Sequence, residues 1–376
     1  MDMPGKMESV SVAIPVRPKQ LKELVKQYYK NKKALFVWGP TGVGKSQVVR
    51  QAGKELAQEL GLTYTEDIRH INDEKYFLVI DIRLSQSDPS DLRGIPIYDK
   101  EKMATIWLTP EMFPRKGYGI IFFDELNLAP PLVQASAYQL ILDRRLGTYV
   151  VPDGYGLIAA GNRLEDRASV FEMSAPLKNR FGHCELEIPS VEDWTKWAIE
   201  RGIDMRIIGF LNFRRGALFT FDPKLKENAF ATPRAREHLS DLIKDIKSEE
   251  LDRIQLLAAT KVGIGLAGEF ATFIRIKDKL KPMKYYLDNP KDCELPDENT
   301  QPDLTWALIT SLAEYYKDHQ DTETLEKIVT LLKRMSEEYA VFTLKLMVSV
   351  DRTLTQKIIK VKAASELARK LIDFFE

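Results

Sequence analysis

The chain has 376 residues, too many for one ordinary domain and enough for two or three. Its 55 Lys and Arg balance its 55 Asp and Glu, so no net charge argues for nucleic acid or an anionic membrane as the main partner. With 44% apolar and 29% charged residues the composition is globular, and two distant cysteines, Cys184 and Cys293, can build neither a disulfide framework nor a zinc pattern. No apolar run approaches the roughly 18 residues of a membrane span, and the first residues lack an apolar signal core. A cytoplasmic protein is expected.

In chain order, residues 1–16 read as a loose lead-in, and "KQLKELVKQYYKN" places Leu21, Leu24, Val25 and Tyr28 at helical spacing. "KALFVWG" reads as a buried strand, "GKSQVVRQAGKELAQELG" as a helix ending near Gly61, and "YFLVIDIRL", "YGIIFFDEL" and "YGLIAAGN" as further strands, each ending in polar residues. Apolar strands alternating with helices predict a parallel sheet covered on both faces. Two stretches interrupt it: "DPSDLRGIPIYDKEKMATIWLTPEMF" and "RRLGTYVVPDGYG", the latter with a turn signal at Asp153-Gly154. Both read as β insertions.

After "EIPS" the chain reads as helical. Ser190 and Asp193 have capping-box spacing, with Trp194, Trp197 and Ala198 on one face. Pro282, Pro290, Pro296 and Pro302 mark residues 281–303 as a linker or long loop. The tail resumes as helices, with stripes at Leu325, Ile328, Val329 and Leu332 and at Leu367, Leu371 and Phe375. The expected division is 1–189, 190–280 and 281–376.

Gly39-Pro40-Thr41-Gly42-Val43-Gly44-Lys45-Ser46 fits G-x-x-x-x-G-K-[ST]. Glycines let the backbone approach phosphates closely and turn successive N–H groups toward them, and the following helix N-terminus adds its positive end. Lys45 is expected on the β- and γ-phosphates, Ser46 on Mg²⁺, and Gln47 completes the nucleotide contacts. A chance match in a chain of this length has a probability on the order of 1%. In "GIIFFDE", Asp124 and Glu125 follow a buried run, as expected of a strand adjacent to the phosphate loop that carries an acid at its end. Asp124 would hold Mg²⁺ through its hydration shell, and Glu125 would polarise the attacking water. Asn162, ending "LIAAGN", could align that water. Arg180 beside Phe181 in "LKNRFGH" could reach a neighbouring subunit. Arg234 follows Thr232 as N-cap and Pro233 as N1, in a first turn where the helix dipole disfavours a cation unless an anion is supplied.

Over roughly residues 30–280 these motifs resemble the AAA+ ATPases, and more narrowly the MoxR branch of the helix-2-insert clade. The resemblance rests on "GPTGVGKS", "DPSDLRGIP", "IIFFDELNLAPPLVQASAYQLILDRRLGTYVVPDG", "AAGN", "LKNRF" and "TPRA". It implies an α/β P-loop core with two β-hairpin insertions, an α-helical lid and an α-helical C-terminal region. Lys45 and Ser46 then belong to Walker A, Asp124 and Glu125 to Walker B, Asn162 to sensor 1, Arg180 to a trans-acting finger and Arg234 to sensor 2. It further implies ATP and Mg²⁺ as ligands, a homo-oligomeric ring of six, and a client protein that is remodelled or activated. A von Willebrand factor A partner would be a separate polypeptide, since no D-x-S-x-S occurs here. Arg144, Arg145, Arg163 and Arg167 cluster near these motifs, where the resemblance implies charged subunit boundaries and where a solvated helix end would read the same. A nucleic-acid motor would share the core, but "TYVVPDG" carries no Lys or Arg and the first insertion has no basic excess. A scaffold that binds ATP without hydrolysing it is opposed by the intact Asp124-Glu125 pair.

Overall fold

The computed structural model describes residues 13–163, 166, 171–225, 227–360, 367 and 369; Arg167, Leu371 and Phe375 lie outside them. By internal packing the chain divides into two units, Met1–Ile188 and Pro189–Glu376.

In the first unit the elements run β1 (Ile14–Val16), α1 (Pro18–Lys30), β2 (Ala34–Trp38), α2 (Lys45–Glu59), β3 (Thr63–Thr65), β4 (Tyr76–Arg83), α3 (Pro89–Arg93), β5 (Ile95–Asp99), β6 (Ala104–Leu108), β7 (Tyr118–Asp124), α4 (Pro131–Asp143), β8 (Arg145–Leu146), β9 (Tyr149–Val150), β10 (Tyr155–Gly161), α5 (Ala175–Lys178) and β11 (Phe181–Leu186). Seven strands form one parallel sheet in the order β1-β11-β2-β10-β7-β4-β3. Its central strands are apolar throughout because both faces are covered. Alternate residues serve opposite faces. Phe36, Ile80, Ile121, Phe123, Leu157 and Ala159 pack with Val133, Ala137 and Leu140 of α4. Leu35, Val37, Val79, Ile120, Phe122 and Ile158 pack with Leu21 and Val25 of α1 and Val49, Ala52 and Leu56 of α2.

The sheet is wider than the sequence predicts. The last residues of the expected lead-in form β1, in register with Cys184–Leu186 of β11. β11 itself was not foreseen, since in "FGHCEL" only Phe181, Cys184 and Leu186 are buried, too sparse a pattern to announce a strand. β10 lies between β2 and β7, and the Asp124 end of β7 meets the phosphate loop through Ser46.

Both insertions are antiparallel hairpins. In β5–β6, Ile95 pairs with Leu108 and Asp99 with Ala104, and Asp99 Oδ1 accepts the N–H groups of Glu101 and Lys102 at the tip. In β8–β9 the tip is Gly147-Thr148, with Gly147 at φ +58°. Asp153-Gly154 also turns, but into β10: Tyr155 N–H bonds the Pro152 carbonyl.

The second unit is helical in its described residues: α6 (Val191–Arg201), α7 (Met205–Phe213), α8 (Pro233–Ile243), α9 (Leu251–Val262), α10 (Ile264–Ile276), α11 (Met283–Asp288), α12 (Pro302–Asp318), α13 (Thr322–Leu332), α14 (Glu337–Val350) and α15 (Leu354–Lys360). Ser190 Oγ accepts the Asp193 N–H and caps α6, with Trp194 and Ala198 buried behind it. One apolar core holds Phe210, Leu239 and Phe270 together with Leu308, Ile328 and Leu344, so residues before and after 281 share their packing. The proline-marked stretch is part of that core: it contains α11, buries Cys293, and its Pro290 and Cys293 carbonyls accept hydrogen bonds from Arg334.

Candidate active site

The sheet delivers three loops to one edge, where β2, β10 and β7 end. The turn after β2 is "GPTGVGKS". Its glycines hold positive φ, +76° at Gly42 and +106° at Gly44, and a Cβ on Gly44 would meet nothing within 4 Å. The backbone conformation, not packing, therefore selects glycine there. Val43 is buried in the core, so it contributes backbone alone. Helix α2 begins at Lys45, which puts Lys45, Ser46 and Gln47 in its first turn.

Lys45 is 8% exposed, and its ammonium donates to the carbonyls of Gly39 (2.7 Å) and Pro40 (3.1 Å) and to Asn162 Oδ1 (3.0 Å). Because β10 lies beside β2, Asn162, the residue after its end, directly faces the phosphate loop. Ser46 Oγ donates to Asp124 Oδ2 at 2.8 Å, and Asp124 Oδ1 accepts the Glu125 N–H at 2.9 Å. Thus the three sequence motifs converge: Lys45 with Asn162, Ser46 with Asp124, and Glu125 one residue on. Ser46 and Asp124 offer a hydroxyl and a carboxylate, both hard oxygen donors, side by side at the phosphate loop, a pairing that fits Mg²⁺. Among the described residues no group of three or more His, Cys, Asp or Glu forms a metal cage. A cation there would take its remaining ligands from phosphate and water.

Glu125 itself adopts a left-handed conformation, φ +56°, ahead of a 3-10 turn over Leu126–Leu128. A non-glycine residue in that region stores strain and turns its side chain away from the line of the strand. The Ser85 hydroxyl donates to Glu125 Oε2, and Asn127, 1% exposed, bonds the main chain of Asn162. Neither Ser85 nor Asn127 was singled out from sequence. Both are small polar residues in turns just past strand ends, a signal that exists but does not distinguish them from ordinary turn residues. Nearby, Arg50 bridges Glu66 (2.9 Å) and Asp81 (2.7 Å). Burial and then the Asp124 charge push the Asp81 carboxyl above its ordinary range, against the pull of Arg50. A cavity of about 620 Å³ follows the outer side of β4 from Val79 to Arg83, bordered by Glu66, Gln86 and Met112. It includes no residue of the phosphate loop.

The arginines separate into different roles. Arg180 is exposed and directly precedes β11, whose first residue pairs with Ala34 at the start of β2. The phosphate loop follows the other end of β2, about 17 Å along the strand direction. Arg180 therefore cannot serve the site of its own chain. Arg163 is engaged by Asp166 (2.8 Å) and Glu185 (3.0 Å). Arg144 turns inward and donates to the Pro152 (3.1 Å) and Tyr155 (2.6 Å) carbonyls, and its burial lowers its pKa. That ties it to the fold of the second hairpin, not to a free charged boundary. Arg145 is exposed. In the second unit, Arg234 is exposed in the first turn of α8, where Thr232 Oγ1 accepts the Ala235 N–H at 3.1 Å.

Comparison with known proteins agrees with this geometry. The family described as AAA domain (dynein-related subfamily) matches residues 34–181. No curated protein matches the chain. Among solved structures, a RuvB variant from Thermotoga maritima is 16% identical with a TM-score of 0.35, covering 72% of this chain and 74% of its own. NtrX from Brucella abortus in complex with ATP is 14% identical with a TM-score of 0.35, covering 95% and 67%. Among the described residues no helix is long and apolar enough to cross a membrane. With the AAA-domain match over residues 34–181 and this site, the chain is an ATP hydrolase.

Proposed function

We propose that the chain is a MoxR-like AAA+ ATPase that works as a homo-oligomeric ring, with six subunits by resemblance, and uses ATP with Mg²⁺ to remodel or activate a client protein in the cytoplasm. Lys45 binds the β- and γ-phosphates, Asn162 orients the attacking water, and Glu125 takes its proton, steadied by the Ser85 hydroxyl. Bound through Ser46 and Asp124, Mg²⁺ would neutralise phosphate charge as it develops. Residues 190–280 act as the lid that brings Arg234 to the γ-phosphate, and residues 281–376 brace it. A von Willebrand factor A protein remains a candidate partner.

The observation that carries the ring is the place of Arg180, exposed at the end of the sheet opposite its own phosphate loop. An arginine finger in such a position completes the site of a second copy, an arrangement worth about 10³–10⁵ in rate in other phosphoryl-transfer systems. For the client, the β5–β6 hairpin supports a protein rather than a nucleic acid. Ile95, Tyr98, Met103 and Leu108 are all more than half exposed, and its charges, Asp99, Lys100, Glu101 and Lys102, cancel.

Mixing Arg180→Ala subunits with Glu125→Gln subunits tests the shared site. Each alone should release phosphate slowly, and the mixture should recover part of the wild-type rate. No recovery, together with a monomeric mass in the presence of ATP, would refute the ring.

A further inference from the structure

Glu125 and Asn162 directly follow different strands, β7 and β10, yet both must address one water molecule. Asn127 joins them. Its side-chain amide Nδ2 donates to the Asn162 carbonyl at 2.7 Å, and its Oδ1 accepts the Asn162 N–H at 3.1 Å, so one side chain satisfies both main-chain groups of that residue. Its own carbonyl accepts the Phe171 N–H at 2.7 Å. The approach is tight: a Cβ on Gly161 would lie 2.2 Å from Asn127 Oδ1, so the residue before Asn162 has no room for a side chain. Asn162 in turn presents Oδ1 to Lys45.

We infer that Asn127 is a positioning residue for ATP hydrolysis, locking the main chain of Asn162 to the turn that carries Glu125 so that the water-orienting amide and the general base keep a fixed separation. The inference rests on the proposed roles of Glu125 and Asn162. Asn127 touches no reacting atom. Without it, two buried main-chain groups lose their partners and the tip of β10 is free to shift, and shifts of about 1 Å in a catalytic group can lower a rate a hundredfold.

The experiment measures kcat, KM and nucleotide affinity of wild type, Asn127→Ala, Asn162→Ala and the double variant, with thermal melts of each. Asn127→Ala should lose about tenfold to a hundredfold in kcat while affinity changes by less than about threefold. The double variant should match Asn162→Ala within about threefold, because Asn127 acts only through that residue. Losses that multiply, or a kcat close to wild type in Asn127→Ala, would overturn the inference while leaving the ATPase reading intact. A wild-type protein that binds ATP and releases no phosphate would overturn both. Should Asn127→Ala fail to fold, Asn127→Asp keeps the size and the acceptor but sets an oxygen against the Asn162 carbonyl. Its kcat relative to wild type should rise as pH falls from about 8 to about 6, since a buried carboxyl that takes up a proton becomes a donor again. A flat ratio would count against the inference.

Discussion

The two units bury polar groups in opposite ways. In the α/β unit Lys45, Ser46, Asn127 and Asn162 are all buried, and they arrive from separate chain segments at one edge of the sheet. In the helical unit buried polar groups bond within a helix or brace one helix against another. Thr305, Thr310 and Thr343 each bond the carbonyl four residues back, and Arg206 pairs with Asp204 at 2.6 Å while donating to the Ile243 and Ile246 carbonyls. Polar burial in the first unit is convergent and leaves charged groups directed at an edge where phosphate can bind; in the second it ties helices and the turns between them to one another. Besides the buried Trp194 indole N–H, which has no partner, Arg236 is an exception. It is fully buried, bonds only the Ala217 carbonyl, and burial lowers its pKa to about 10. The contrast implies that substitutions at buried polar positions change turnover in the first unit and stability in the second.

The strongest test in the first unit is Glu125→Gln. Turnover should fall by about 10²–10⁴, the range for losing a general base, with the melting temperature little changed because Glu125 is only partly buried. Steady-state phosphate release and a thermal melt give both numbers, and wild-type turnover in this variant would remove the base assignment. The matching test in the second unit is Arg206→Met. It leaves Asp204 buried without its cation and should cost about 3–5 kcal/mol in urea unfolding. If that variant instead unfolds normally and loses turnover, the contrast between the units is wrong.

A gentler probe of the helical unit is acid. Burial raises the pKa of Asp351, but hydrogen bonds from Lys357 (2.7 Å), Thr353 and Tyr316 (3.0 Å) outweigh it and hold the carboxyl at about 2 against an ordinary 3.8. A folded-state pKa below the unfolded one stabilises above the unfolded value and is lost as pH falls through the folded one. The urea midpoint of wild type should therefore decline between about pH 4 and about pH 2. Asp351→Asn should start lower at neutral pH and decline less over that interval. Equal slopes in the two proteins would show that Asp351 is not a source of acid sensitivity.

What could be read from sequence follows the same division between local and long-range causes. "GPTGVGKS" is legible because each residue type answers a local demand, positive φ or charge or hydroxyl, within one turn. The caps at Ser190 and Thr232 are legible for the same reason. The order of strands is not, because nothing in "YGLIAAGN" says that it lies between β2 and β7. Nor are β1 and β11, which hold as strands because they pair with each other and β11 also pairs with β2. Ser85 and Asn127 fall in the same class. A serine after β4 and an asparagine after β7 acquire meaning only once Glu125 and Asn162 stand beside them. The proline-rich stretch misleads in the opposite sense, since prolines mark turns without saying whether the turns are packed.

The smallest expected effects lie at the start of α8, where stability and proposed function point in opposite directions. Thr232 accepts the Ala235 N–H as N-cap, so Thr232→Ala should destabilise the helical unit by about 1 kcal/mol. Arg234, two residues on, places an exposed cation at the positive end of the helix. Replacing it with Gln should stabilise the protein, in the absence of nucleotide, by about 0.3–1 kcal/mol, with the gain fading as salt is raised. The same variant should lose turnover, because the charge that the helix disfavours is the one proposed to meet the γ-phosphate. A urea series at low and high salt, set beside phosphate release, separates the cases. A stability loss in Arg234→Gln would mean that the guanidinium has a structural partner and that no anion need be invoked. A stability gain with turnover intact would mean that the charge serves neither purpose.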